Sequence, residues 1–172
     1  MEENQERLVK ECERIEEYSL WNATSHFTAA AWARFIHLVG GAMPIVFGGI
    51  GGWKVLSDPA TSTPRQVLTA GALTLAAGIT GSLMAYWDLA KVRLEHFTAA
   101  SKYKTIENEA RRAREIDAHD EDYDALKKRV MELTARYDEL GESSAQSFDL
   151  AFWLARRKIR AGRFESDKVR TE

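Results

Sequence analysis

Charged side chains vanish from two stretches of this chain and crowd the rest. No Asp, Glu, Lys or Arg lies between Arg34 and Lys54, and none lies between Arg65 and Asp88. The uncharged runs, FIHLVGGAMPIVFGGIGGW (35–53) and QVLTAGALTLAAGITGSLMAYW (66–87), are 19 and 22 residues long. A hydrocarbon core about 30 Å thick takes roughly 20 helical residues at about 1.5 Å each, so each run has the length of one crossing. Trp32, Phe35 and Trp53 flank the first run, and Tyr86 and Trp87 close the second; such rings favour the headgroup zone. Between them KVLSDPATSTPR carries Pro59 and Pro64 among Ser and Thr, which predicts a tight polar turn. The pattern predicts an all-α chain built round a two-helix transmembrane hairpin, with a first transmembrane helix over 35–56, a short extracytoplasmic loop over 57–65 and a second transmembrane helix over 66–88.

The charged flanks predict helices of another kind. Residues 1–34 read as an N-terminal amphipathic helix, with Leu8, Cys12, Ile15 and Ser19 at 4-3-4 spacing and no Pro or Gly to interrupt it. After the second run, Leu89, Val92, His96, Ala99, Tyr103, Ile106, Ala110 and Ala113 alternate three and four. That heptad seam predicts that the second span runs straight on as one helix. DAHDEDYD (117–124) interrupts the seam. Asp120, Asp122 and Asp124 suggest a calcium loop, but an EF-hand needs Gly at its sixth position and Glu at its twelfth, where Ala125 and Met131 stand. A turn with an N-cap for the next helix is the expectation. That helix carries Tyr123, Leu126, Val130, Leu133, Tyr137 and Leu140 at threes and fours, with Gly141 as its predicted end. A last helix has Phe148, Phe152 and Trp153 on one side and a basic end of Arg156, Arg157, Lys158 and Arg160. It suits either contact with an anionic leaflet or a packed helix whose charges favour its C-terminus. Residues 89–164 thus form a cytoplasmic helical region, with a disordered tail over 165–172.

Composition averages hide this segregation: 45% of the 172 residues are hydrophobic, 29% are charged and the formal net charge is -2. The near-zero charge argues against direct nucleic-acid binding, which needs a basic surface. The single cysteine, Cys12, excludes an intrachain disulfide. Residues 1–34 hold seven acidic and four basic side chains and no apolar core, so no cleavable signal peptide is expected and the first run acts as its own insertion signal. The intervening loop has only Lys54 and Arg65 as basic residues, whereas 18 follow Asp88. By the positive-inside rule both termini of this multi-pass protein lie in the cytoplasm.

Within the runs, Gly41, Gly48 and Gly52 share one helical stripe, and Gly71, Gly78 and Ser82 repeat the spacing. Small stripes let helices approach closely where the hydrophobic effect is absent, either within one hairpin or between copies in a homo-oligomer. Thr69 and Thr80 share a face of the second run; they either line a narrow polar path or bond back to their own helix. His37 is the one ionisable side chain inside the runs, which makes it a pore-lining or interfacial candidate. Pro44 predicts a kink or a loosened start in the first span.

No G-x-x-x-x-G-K-[ST], H-E-x-x-H or G-x-S-x-G occurs. His26, His37, His96 and His119 lie at least 11 residues apart and do not form a metal-ligand spacing. Cys12 shares a face with Leu8 and Ile15 and reads as a buried small hydrophobe. The expectation is a non-enzyme with no catalytic residue, cofactor or metal.

An acidic helix, CERIEEYSLWNATSHFTAAAWARFIHL, leads into a glycine-rich span with a proline, then a short loop, a second span, a helix and a closing FWLARRKIRAG. Over about residues 8–164 this order resembles the SLATT domain family, two-transmembrane bacterial effectors associated with SMODS nucleotidyltransferases and SLOG sensors. Glu16, Glu17, Leu20, His26, Phe27, His37, Pro44, Ile159 and Gly162 carry the resemblance. It implies an effector of anti-phage or conflict systems in the bacterial inner membrane that forms pores or otherwise perturbs the bilayer. Its implied partners are a nucleotide-signalling synthase, a SLOG-type sensor or a reverse transcriptase. The family supplies no catalytic residues. A membrane scaffold that recruits a cytoplasmic partner without forming a pore is the competing expectation.

Overall fold

The computed structural model describes residues 2–57, 63–120, 122–145 and 149–161. The predicted tail over 165–172, Gly162 and most of the predicted loop lie outside the described residues. The elements are α1 (Glu2–Ser57), α2 (Pro64–Tyr86), α3 (Leu89–Arg112), a π-helical turn (Ala113–Asp117), α4 (Ala118–Asp120), α5 (Tyr123–Ser143) and α6 (Asp149–Arg160). No strand occurs among the described residues. The chain divides into two compact units: one of residues 1–30 with 94–172, the other of residues 31–93.

The charged unit packs around the first part of α1. Cys12, Ile15 and Ser19 of α1 are buried with Tyr103, Ile106 and Ala110 of α3 and with Leu126, Val130, Leu133 and Leu140 of α5. These are the predicted seams, because a three-four repeat places one stripe of each helix toward its neighbours. The α3 seam is buried from His96 onward, whereas Val92 is exposed. Polar contacts fix the register. The Gln5 amide donates to the Ala118 carbonyl at 2.7 Å, Arg114 Nε donates to Glu16 at 2.9 Å, and Asn22 donates to the Tyr137 hydroxyl at 2.9 Å. Arg136 of α5 pairs with Glu109 of α3.

The apolar unit holds the rest of α1, the whole of α2 and the first residues of α3. Thr63 opens α2, its N–H donating to Gln66 Oε1 at 2.8 Å, and Pro64 takes the first turn, where its missing N–H costs no helical bond. Contacts between α1 and α2 run in reverse order along the two segments. A methyl group built on Gly40 would strike the Met84 thioether; Pro44 lies by Gly81, Gly48 by Ala77, and Gly51 by Ala70 and Thr74.

The helix runs through Pro44 as one unbroken α1. Two expectations are corrected. The seam after the second run does not continue that helix: α2 ends at Tyr86, and Trp87 is extended at φ -90°, ψ 109°. Asp88 Oδ1 then accepts from the Lys91 N–H at 2.9 Å and starts α3 afresh, because a carboxylate satisfies a free first-turn donor. Finally, Gly141 lies inside α5, which ends at Ser143 with Ser144 as its cap.

The N-cap expected in 117–124 is Asp122, whose Oδ1 accepts from the Ala125 N–H at 2.8 Å. Asp122→Ala should lower the stability of the charged unit by about 1 kcal/mol, readable as a lower denaturant midpoint at unchanged slope.

Candidate functional site

The surface of the apolar unit is the first candidate. Ile45 and Leu68 are 77% and 74% exposed, and only 11% of the most apolar window of each helix is buried. Both helices are long and apolar enough to cross a membrane. A buried core helix of a soluble fold would show the opposite burial.

The predicted small-residue positions divide in two. Gly48 faces Ala77, but a Cβ on Gly41, Gly52, Gly71 or Gly78 would meet nothing within 4 Å, and Ser82 is exposed. The contact between α1 and α2 is instead carried by Gly40, Gly51 and Gly81, one helical step from the predicted stripes. The glycine count signalled close approach, but periodicity alone did not choose between adjacent small stripes. Gly71, Gly78 and Ser82 line an outward groove along α2 with Leu75 and Ile79.

The threonines are committed to their own helix. Thr69 Oγ1 donates to the Gln66 carbonyl at 2.9 Å, Thr74 Oγ1 to that of Ala70 at 2.9 Å and Thr80 Oγ1 to that of Ala76 at 2.7 Å. Their hydroxyl hydrogens are therefore spent locally, which leaves only lone pairs to offer a permeating species. His37 is exposed, and among the described residues it shares no hydrogen bond with Thr69 or Thr80, whose hydroxyls donate to Gln66 and Ala76.

The second candidate, missed by histidine spacing, lies inside the charged unit. His26 of α1 and His96 of α3 are 4% and 5% exposed, with their Nδ1 atoms 2.9 Å apart. The Tyr103 ring stacks on His26 at a centroid distance of 5.6 Å. One Nδ1 must donate and the other accept, so a single hydrogen lies between the two ring nitrogens. Burial, reinforced by the neighbouring imidazole, pushes His26 down to about 4. Burial also lowers His96, against the opposing pull of Glu95. Ser25 Oγ nearby in α1 is buried without a hydrogen-bond partner. Among the described residues no cluster of three His, Cys, Asp or Glu side chains is placed to hold a metal; the pair is a buried hydrogen-bonded contact that resists protonation. Cys12 is fully buried, and burial raises its thiol to about 11, the reverse of what a nucleophile needs.

Comparison with known proteins finds no matching family model, no matching curated protein and no matching solved structure.

Proposed function

We propose that this chain is a two-transmembrane, SLATT-like effector of a bacterial anti-phage or conflict system. In this reading residues 35–53 and 66–87 cross the inner membrane as an antiparallel hairpin with both termini in the cytoplasm. The protein oligomerises and permeabilises the membrane when a partner, such as a nucleotide-signalling synthase, a SLOG-type sensor or a reverse transcriptase, delivers a signal.

The observation that carries the membrane part is the outward display of apolar side chains on both helices. Soluble monomers seldom expose contiguous apolar patches above a few hundred Å², and each exposed Leu, Ile or Phe forgoes about 1.5–3 kcal/mol of burial. Lipid tails remove that cost along residues 35–53 and 66–87. The reverse-order contacts of Gly40, Gly48 and Gly51 with Met84, Ala77 and Thr74 support the hairpin. The unfilled stripe of Gly71, Gly78 and Ser82 supports packing between copies.

A second reading, a membrane-anchored scaffold without a pore, is favoured by one observation: the hydroxyls of Thr69 and Thr80 are satisfied by their own helix. One experiment separates the two. Cells expressing the protein with its neighbouring genes are challenged with phage while membrane potential and dye entry are followed. A pore predicts collapse of the potential during defence, and Thr80→Lys should change the conductance at least about twofold by adding a ring of charge. Successful defence with an intact potential, in both wild type and variant, sinks the pore and leaves the scaffold.

A further inference from the structure

Helix α6 turns its small residues inward and its large ones outward. Ala151 and Ala155 are fully buried, while Phe152 and Trp153 are 46% and 55% exposed. Arg156, Arg157 and Arg160 are also exposed. At about 100° per residue, Trp153 falls in angle between Arg157 and the pair Arg156 and Arg160. The outward face of α6 thus presents an indole set among guanidinium groups. Of the two sequence readings of this segment, packing is met by Ala151 and Ala155, which leaves the indole and guanidinium face outward.

Phe152 meets Trp21 of α1 at a ring-centroid distance of 6.2 Å. On the same side of α1, Thr24 and Thr28 are buried, whereas Glu13 and Glu17 are exposed. Helix α6 therefore packs on the Trp21 side of α1 through Phe152, while Trp153 and the three arginines stay outside that contact.

We propose that the outward face of α6 docks on an anionic lipid surface, with Trp153 and Phe152 at the level of the headgroups and Arg156, Arg157 and Arg160 pairing with lipid phosphates. The face has the required chemistry. Indole rings favour the boundary between apolar and wet zones. Guanidinium groups take phosphate bidentately, and basic residues near an anionic leaflet gain from its surface potential. Twelve residues make too short a helix to cross a bilayer and a suitable one to lie on it. This inference rests on the membrane reading above.

The test uses the full chain, one copy per nanodisc, in phosphatidylcholine alone or with about a third phosphatidylglycerol, followed by hydrogen exchange with mass spectrometry. Amides of α6 are expected to exchange about tenfold more slowly in the anionic discs. High salt should reduce this difference, as should Trp153→Ala, and the neutral triple variant Arg156→Gln, Arg157→Gln, Arg160→Gln should abolish it. Equal exchange in the two lipids, with residues 35–53 and 66–87 protected in both, overturns the docking and leaves the membrane reading standing. Protection of α6 that appears only when two copies share a disc, whatever the lipid, overturns it in favour of a protein contact. Fast exchange across 35–53 and 66–87 removes the membrane reading and this inference together.

Discussion

Between about pH 6.5 and about pH 5 the charged helical unit should lose about 2 kcal/mol of stability, a loss traceable to one pair of side chains. His26 sits at about 4 in the folded chain against an ordinary value of 6.5. Above pH 6.5 neither state binds the proton, and the neutral pair contributes fully. As pH falls from 6.5 toward 4, the unfolded chain takes up a proton that the folded chain refuses, so stability falls by about 1.4 kcal/mol per pH unit. The loss reaches about 3 kcal/mol once pH passes the folded value, and His96, lowered by burial, adds in the same direction. The window above pH 5 lies above the ordinary carboxylate range, which isolates the histidines. Denaturant melts at several pH values would read the slope. His26→Asn, which keeps a polar partner for His96, should flatten it. A slope unchanged in that variant would remove the pair as its source.

Gly51→Leu should loosen the contact between α1 and α2 by about 1–3 kcal/mol, while Gly71→Leu should cost the single chain less than about 0.5 kcal/mol. The reason is geometric. A Cβ on Gly51 would lie 3.1 Å from the Ala70 carbonyl oxygen and 3.1 Å from Thr74 Oγ1, and the former is backbone that cannot step aside. A Cβ on Gly71 meets nothing. Thermal unfolding in detergent should separate the two variants. If copies meet through the α2 groove, Gly71→Leu with Gly78→Leu should still lower the association constant at least about tenfold, the equivalent of about 1.4 kcal/mol, as light scattering would report. Wild-type assembly in the double variant would move the contact elsewhere on the hairpin.

The helices were legible because their signals are local and repeated. Leu126, Val130 and Leu133 declare a buried stripe at the spacing of a helix, and they are buried. Asp122 declares a cap, and it caps. What stayed hidden depends on single side chains overriding a longer pattern. The seam from Leu89 runs on in register with the second apolar stretch, yet Asp88 captures a backbone donor and begins a new helix. Pro44 removes one donor from α1, but the surrounding helix continues. The histidine pair was within reach. Carrying the 4-3-4 spacing of Leu8, Cys12, Ile15 and Ser19 onward gives Asn22 and His26, which face Tyr137 and His96. Counting the distance between histidines along the chain concealed that they occupy facing stripes.

The two paths into the apolar pair differ in kind. Helix α1 passes from charged to apolar residues without a missing turn. The return path has slack, because the extended Trp87 separates α2 from α3. A pull on the first residues of α3 would therefore be taken up at Trp87 before it moved α2.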